Sequence, residues 1–184
     1  MDYKRNKLVK TIFQNSKWIL ISLLALVIIL LLKRRLSSIF LVIILIFLAS
    51  VSIYWKRFTR LSLGIELNSF VTIILSSTYT TIFGLVIGVI TVFIGYLLNR
   101  RVCMYMFIPM IGVSLIAFLS PLFSPLGITT AGIVLNLIYN GIIHFIYVVL
   151  LKNNFLNSIL SFSINFLLNI YLFYYIAPQL VNIL

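Results

Sequence analysis

Glu66 is the residue whose type and position point most clearly to a functional site. It is the only acidic residue beyond position 2, and it stands between long apolar runs. A carboxylate at membrane depth is costly unless it is paired or hydrated, so it usually marks a functional site. On a helix, Ser69, Thr72 and Ser76 would follow on the same side, forming a polar stripe that could face a cavity. The alternative is a structural ion pair near the membrane surface, with Arg57 or Arg60.

Two asparagine pairs form a second polar group. Asn136 and Asn140 are four residues apart, as are Asn165 and Asn169, so each pair shares one face of a helix. Buried amides in lipid need hydrogen-bond partners, and the two pairs could satisfy one another across their helices. Alternatively, they line a polar pocket, with Tyr139, Tyr171 and Glu66. The substrate-binding residues predicted on this basis are Glu66, Ser69, Asn136, Asn140, Asn165 and Asn169.

His144, the single histidine of the chain, follows Asn140 by four residues on the same helical face. A histidine inside a membrane can relay protons. However, no Asp, Glu, Lys or Arg stands in the same apolar segment to continue a relay. A hydrogen-bonded structural role is the other interpretation.

Three glycines lie on one helical face, at Gly84, Gly88 and Gly95, together with Thr91. Small residues let a neighbouring helix approach closely, so we predict a helix-packing face here. Close approach of a ligand is the alternative interpretation, and neither of the two is catalytic.

Motifs of catalysis and of metal binding are missing from the sequence. It has no Gly-rich phosphate loop with lysine, no pair of carboxylates, no Asp-rich cluster and no His-Glu-x-x-His. One cysteine, Cys103, and one histidine can build neither a zinc site nor an internal disulfide. We therefore expect no enzymatic activity, no catalytic or metal-binding residues and no cofactor.

The elements that must position these residues are transmembrane helices. Hydrophobic residues make up 63% of the 184 residues and charged residues 9%, against about 45–50% and about 25% in soluble domains. The apolar runs are continuous and lack the period-two alternation of a membrane barrel. We predict an all-α polytopic bundle of six to seven membrane-spanning helices. A basic cytoplasmic tail at residues 1–17 precedes a single transmembrane domain at residues 18–184.

Seven apolar segments are candidates for membrane spans, since a span needs about 20 apolar residues. They cover residues 18–32, 36–55, 61–79, 81–98, 102–119, 128–151 and 155–176. The first is short, Pro121 and Pro125 are expected to end the fifth, and Pro178 lies near the end of the seventh. Because the connections are short, neighbours in sequence should pack as antiparallel hairpins.

Fourteen basic residues against two acidic ones give a net charge of +12 and indicate an orientation. With seven spans and a cytoplasmic N-terminus, eleven Lys and Arg lie inside and three outside, as the positive-inside rule favours. If the first segment did not span, the distribution would fall to eight against six. We therefore predict a multi-pass cell-membrane protein with its C-terminus outside. Its basic clusters between apolar runs indicate contact with anionic lipid headgroups, not with nucleic acid.

A loose motif links residues 60–184 to a known class of membrane protein. The sequence resembles the substrate-binding (S) components of energy-coupling-factor vitamin transporters at Gly64-x-Glu66-Leu67-Asn68-x-x-Val71-Thr72, followed by Phe83-Gly84-x-x-x-Gly88. The run from Asn165-Phe-Leu-Leu-Asn169 to Ala177-Pro178 has a similar character, and the rod-shape-determining membrane proteins share this helix arrangement. The resemblance implies a six-helix bundle that binds a small vitamin or metal, with a coupling protein and two ATPases as partners. The residues that match the pattern are Gly64, Glu66, Thr72, Gly84 and Gly88.

Two classes of function follow from these observations. The first is a small-molecule binding or permeation subunit of a membrane transporter, in which Glu66 and the asparagine faces line a pocket. The alternative is a non-catalytic scaffold or accessory subunit of a larger membrane complex, in which the same residues hold helices together. A polar pocket converging from the third, sixth and seventh segments would favour the first class. Glu66 paired with Arg57 or Arg60, without a cavity, would favour the second. A chain this small and this poor in ionisable groups is expected to work with other membrane subunits.

Overall fold

A computed structural model describes residues 38–55, 66–100, 104–152 and 154–184. Leu41–Leu184 forms one compact unit, and Met1–Phe40 forms a second, of which only residues 38–40 are described. The predicted tail at residues 1–17, the first segment at residues 18–32 and the start of the third at residues 61–65 lie outside the described residues.

The described residues form helices and no strand. The α-helices are α1 (Ser38–Trp55), α2 (Asn68–Thr78), α3 (Thr81–Leu98), α4 (Phe107–Phe123), α5 (Gly127–Phe145), α6 (Phe155–Tyr171) and α7 (Ala177–Ile183). Single 3-10 turns flank α4, and π-helical turns follow α5 and α6, at Ile146–Leu150 and Leu172–Ile176. Neighbours in sequence pack together from α2 through α6, as their short connections predict.

Three helical stretches of the described residues are long and apolar enough to cross a membrane: Thr81–Leu98, Met104–Val149 and Phe155–Ile183. The 46-residue stretch contains both α4 and α5. The chain turns between them at Gly127, whose φ of +77° suits glycine. A shorter apolar helix covers Ser38–Ile53. The described residues therefore do not confirm the predicted count of six to seven spans.

Helix α2 is shorter than the third predicted segment and lies at the centre of the fold. It begins at Asn68, and the described residues before it, Glu66 and Leu67, are not helical. Its 11 residues span about 16 Å, roughly half the hydrocarbon thickness of a bilayer. Residues 68–76 are all buried, and α2 packs against α3, α4 and α5. The third segment is therefore an enclosed helix of half length.

Two glycines of α3 allow α2 to approach closely. A Cβ atom on Gly84 would lie 2.6 Å from the backbone nitrogen of Ser76, and one on Gly88 would overlap the hydroxyl of Thr72. The two helices thus meet in antiparallel steps of four residues. One further step of four residues towards the start of α2 reaches Asn68, its first residue, which therefore lies level with the middle of α3.

The ends of α1 and α3 meet through a third glycine. A Cβ atom on Gly95 would lie 2.7 Å from Ile53 Cβ, so the glycine leaves room for that side chain. Next to this contact, the side-chain amide of Asn99 donates a hydrogen bond to the carbonyl oxygen of Ile53 at 2.8 Å. The small residue and the amide together fix the C-terminal end of α3 on α1.

Helix α4 ends at Phe123, between Pro121 and Pro125, the two prolines expected to end it. Helix α4 continues through Pro121, which lies in its last turn, and the chain reverses only at Gly127. Helical residues also continue past Pro178 as far as Ile183. Proline lacks an N–H, and its ring clashes with the carbonyl four residues earlier. The wider π-helical turn at Leu172–Ile176, directly before α7, accommodates Pro178.

Candidate functional site

Glu66 lies at the entry to α2, where it contacts both α5 and α6. Its carboxylate oxygen Oε2 accepts a hydrogen bond from the hydroxyl of Tyr139 at 3.1 Å. Its backbone N–H donates to Asn165 Oδ1, and its carbonyl oxygen accepts from Asn169 Nδ2, both at 3.4 Å. The carboxylate precedes α2 by two residues and so lies next to the N-terminus of that helix. Arg57 and Arg60, the predicted ion-pair partners, lie outside the described residues.

Four asparagines form an amide ladder between α5 and α6, namely Asn136, Asn140, Asn165 and Asn169. The link between the helices is the bond from Asn165 Nδ2 to Asn140 Oδ1 at 2.7 Å. Within each helix the second asparagine donates to the Oδ1 of the first, at 3.0 Å in α5 and 2.7 Å in α6. All four residues are at most 2% exposed. The ladder therefore satisfies buried amides across the helix interface.

Ser69 connects α2 to the amide ladder. Its hydroxyl donates to Asn136 Oδ1 at 2.8 Å, so this oxygen accepts hydrogen bonds from both α2 and α5. The six residues predicted to bind substrate are thus joined in one hydrogen-bonded network. Thr72 and Ser76 instead lie against the glycines of α3. The predicted polar stripe of α2 is therefore divided between two neighbours, because the helix is enclosed on several sides.

Asn136 in this network and Asn68, which precedes Ser69 in α2, are buried with unmet hydrogen-bonding capacity. Both amide atoms of Asn68, and the Nδ2 of Asn136, have no hydrogen-bond partner within the part of the chain that the structure describes. Both residues are 0% exposed. An unmet buried polar group costs about 1–3 kcal/mol. Asn68 was part of the motif behind the family resemblance, and only the structure shows that its amide is enclosed beside Glu66.

No protein-family model, curated protein or solved structure matches the chain. The resemblance to the S components of energy-coupling-factor transporters therefore remains a prediction. Of its matching residues, Glu66 lies in the network, whereas Thr72, Gly84 and Gly88 form the contact between α2 and α3. Gly64 lies outside the described residues.

The two tyrosines proposed for a polar pocket have different environments. Tyr139 is 1% exposed, and a Cβ atom on Gly112 of α4 would lie 2.9 Å from its ring. The glycine thus makes room for the tyrosine that holds Glu66. Tyr171 is 59% exposed, and its ring packs against Tyr175 with centroids 4.9 Å apart. Tyr171 is therefore not a buried pocket residue.

His144 lies one helical turn beyond the amide ladder. Its Nδ1 and the Ser158 hydroxyl of α6 share a hydrogen bond of 2.8 Å. Its ring stands edge-on to Phe162, with centroids 5.7 Å apart. These contacts fit the structural interpretation of His144, in which it joins α5 to α6.

Ser114, in the triplet Gly112-Val113-Ser114, is a further candidate for a catalytic nucleophile, and it belongs to none of the motifs considered above. A nucleophilic serine needs a general base within hydrogen-bond reach. The Ser114 hydroxyl donates to the carbonyl oxygen of Met110 at 2.8 Å, and His144 bonds Ser158. These contacts do not pair Ser114 with His144, whose hydrogen-bonded serine is Ser158. Within the described residues, no group of three or more His, Cys, Asp or Glu could hold a metal ion.

Proposed function

We propose that the chain is a multi-pass integral membrane protein of six to seven spans. Its buried core contains amides, whereas its outer faces carry large apolar side chains such as Ile82, Leu122 and Leu156, which are 72–74% exposed. Apolar surface of this extent is a liability in water and is suited to lipid. In this proposal the spans are helices α3 to α6, α1, the first segment and the third segment, of which α2 forms the second half.

The proposed orientation can be tested with the only cysteine of the chain. Cys103 follows Arg100 and Arg101 in sequence, and the charge distribution places this connection in the cytoplasm. In intact cells, we expect a membrane-impermeant maleimide to leave Cys103 unlabelled, and a C-terminal epitope tag to be accessible to antibody. Labelling of Cys103 from outside, or a tag reached only after permeabilisation, would contradict the seven-span orientation.

Within the membrane, we propose that the chain is a small-molecule binding or permeation subunit of a transporter, with its site at Glu66. The observation that carries this proposal is the convergence of Glu66, Ser69 and the amide ladder in one network, together with the buried unmet amides of Asn68 and Asn136. Inside a membrane, ionisable residues and their polar partners are rare and line substrate or ion pathways.

The depth of the network supports the same function. Helix α2 begins level with the middle of α3, so its first residues lie far from either end of the bundle. Short or interrupted helices that end at mid-depth form substrate sites in transporters, because their backbone groups and dipole ends are open to a ligand. A carboxylate with amide neighbours favours a ligand that has positive charge or several hydrogen-bond donors.

The substitution Glu66→Gln tests this site directly. Glutamine keeps the size of the side chain and an acceptor for Tyr139, so we expect the protein to fold. Mass spectrometry of protein purified in mild detergent from native membranes should detect a bound small molecule in the wild type. Its occupancy should fall at least about tenfold in the variant, as expected when a charge-assisted hydrogen bond is lost.

The matched control is Asp2→Asn, which removes the only other acidic residue of the chain. It should leave ligand occupancy unchanged. If Glu66→Gln retained as much ligand as the wild type and the control, the site would not be at Glu66.

A scaffold or accessory subunit is the second candidate function, and the amide ladder favours it because the asparagines bond one another. The same purification separates the two functions through what accompanies the chain. A coupling protein with ATPases would support the transporter subunit. Unrelated membrane subunits, or a homo-oligomer carrying only anionic lipid, would support the scaffold.

A further inference from the structure

An open cleft of about 320 Å³ lies between α5 and α6, near the connection that joins them. Its walls include the apolar side chains of Phe145, Val149, Phe155 and Ile159. Its two most polar lining residues, His144 and Ser158, hydrogen-bond each other. The cleft is therefore suited to binding a hydrocarbon chain. Its volume is at the lower end of the range of ligand pockets, about 300–1,000 Å³.

Gly141 keeps this cleft open, and helix packing does not explain the glycine. A Cβ atom on Gly141 would meet nothing within 4 Å, unlike one on Gly84, Gly112 or Gly132. A glycine inside a helix is less favourable for helix stability than alanine. At this position the glycine does not allow a closer contact between helices, so packing does not offset its lower helix propensity. A larger side chain here would fill the cleft. The π-helical turn at Ile146–Leu150 lies on the same wall, and such turns often mark binding sites.

A positive charge lies in the short connection between the two walls of the cleft. Lys152 is exposed in this connection, three residues after Val149 and three residues before Phe155, which both line the cleft. In the proposed orientation this connection is cytoplasmic. The cytoplasmic leaflet carries the anionic lipids, whose headgroups attract basic residues at the membrane surface.

We propose that this cleft binds one acyl chain of an anionic phospholipid whose headgroup contacts Lys152. The proposal rests on the membrane embedding proposed above, but not on the function of Glu66. The apolar cleft supplies affinity for the acyl chain, and Lys152 supplies the preference for negative charge. The site would thus fix a lipid on the seam between α5 and α6, next to the amide ladder.

Native mass spectrometry of the full chain in mild detergent tests the proposal, with phosphatidylglycerol or phosphatidylcholine added in titration. We expect the wild type to retain one phosphatidylglycerol more tightly than phosphatidylcholine. Gly141→Leu should fill the cleft and weaken retention at least about tenfold, because several methylenes lose their apolar contact. Ile159→Trp should block the same space from α6. Lys152→Asn should abolish the preference for phosphatidylglycerol, and asparagine tolerates the positive φ of this position.

The control is Thr130→Leu, which adds leucine at an exposed position of α5 outside the cleft and should retain lipid like the wild type. Equal retention by Gly141→Leu, Ile159→Trp and this control would overturn the proposal. So would a phosphatidylglycerol preference that survives Lys152→Asn. Recovery of the wild type in the aqueous fraction without detergent would overturn the membrane embedding itself. Loss of ligand binding in Glu66→Gln would leave this lipid site unaffected.

Discussion

The substitution Gly84→Ala is expected to lower the free energy of unfolding by about 2–3 kcal/mol, the upper part of the range for overpacking. The added Cβ would lie 2.5 Å from Ser76 Cβ, 2.6 Å from its backbone nitrogen and 2.7 Å from its Cα. A backbone cannot rotate aside as the end of a flexible side chain can. Helix α2 also cannot retreat, because it packs against α4 and α5 as well as α3. Relieving the overlap would therefore require all of α2 to shift against its neighbours, which disturbs their packing.

The same substitution at Gly141 provides the matched control. Gly141 is also in a helix, but its added Cβ would meet nothing within 4 Å. Gly141→Ala should leave stability unchanged or raise it by up to about 1 kcal/mol through helix propensity. Unfolding in mixed micelles of dodecyl maltoside and sodium dodecyl sulfate, followed by circular dichroism, measures both variants. Equal shifts for the two substitutions would show that α2 and α3 do not meet at Gly84.

Helix bounds follow from the sequence where local signals mark them. Helix α3 covers the predicted residues because Thr80 caps its first turn, accepting a hydrogen bond from the N–H of Phe83 at 3.1 Å. After its last residue, Arg100 has a positive φ, which ends the helical path. The start of α2 has no such signal. Its position depends on a tertiary contact, the hydrogen bond from the N–H of Leu67 to the Ser52 hydroxyl of α1 at 3.1 Å.

Some contacts of the candidate site follow from local spacing in the sequence, whereas others depend on the tertiary structure. The bonds within each asparagine pair follow from a spacing of four residues, which the sequence displays. The contacts of Glu66 do not, because its backbone meets Asn165 and Asn169, which are 99 and 103 residues away in the chain. Hydropathy and periodicity contain no information about such pairs. They also cannot distinguish an outward-facing apolar helix from the enclosed α2.

The last proline shows a further limit of local rules. Pro178 lies near the predicted end of the last segment, at residue 176, and proline interrupts helical hydrogen bonding. In the structure the interruption is absorbed by one widened turn, and the helix continues. Whether a proline ends a helix or is accommodated depends on the packing around the turn. Here Phe173 within that turn is completely buried against Phe70 of α2, with ring centroids 5.0 Å apart.

Asn165→Ala is expected to lower the free energy of unfolding by about 2–4 kcal/mol. Asn165 bonds Asn140, Asn169 and the N–H of Glu66, so one truncation removes three hydrogen bonds of the network. A single hydrogen bond between membrane helices contributes only about 0.6 kcal/mol on average, with a maximum of about 1.7. The larger value expected here comes from losing several at once and from leaving buried groups of α5 and α6 without those partners.

Micellar unfolding of this variant has a control on the same helix. Leu167 is 65% exposed on α6, and Leu167→Ala should change stability by less than about 0.5 kcal/mol. A double-mutant cycle with Asn140→Ala should give a coupling energy of about 1 kcal/mol, since the two amides are in direct contact. Additive effects of the two substitutions would mean that the contact between Asn165 and Asn140 contributes nothing to folding.

The stability of Asn165→Ala and the ligand occupancy of Glu66→Gln together distinguish the two proposed functions. A network that only holds helices together predicts a large loss of stability for the first variant and no ligand to lose in the second. A binding site predicts that Glu66→Gln loses ligand at nearly unchanged stability. Added ligand should then stabilise the wild type more than Asn165→Ala, because a ligand stabilises only the folded state that can bind it.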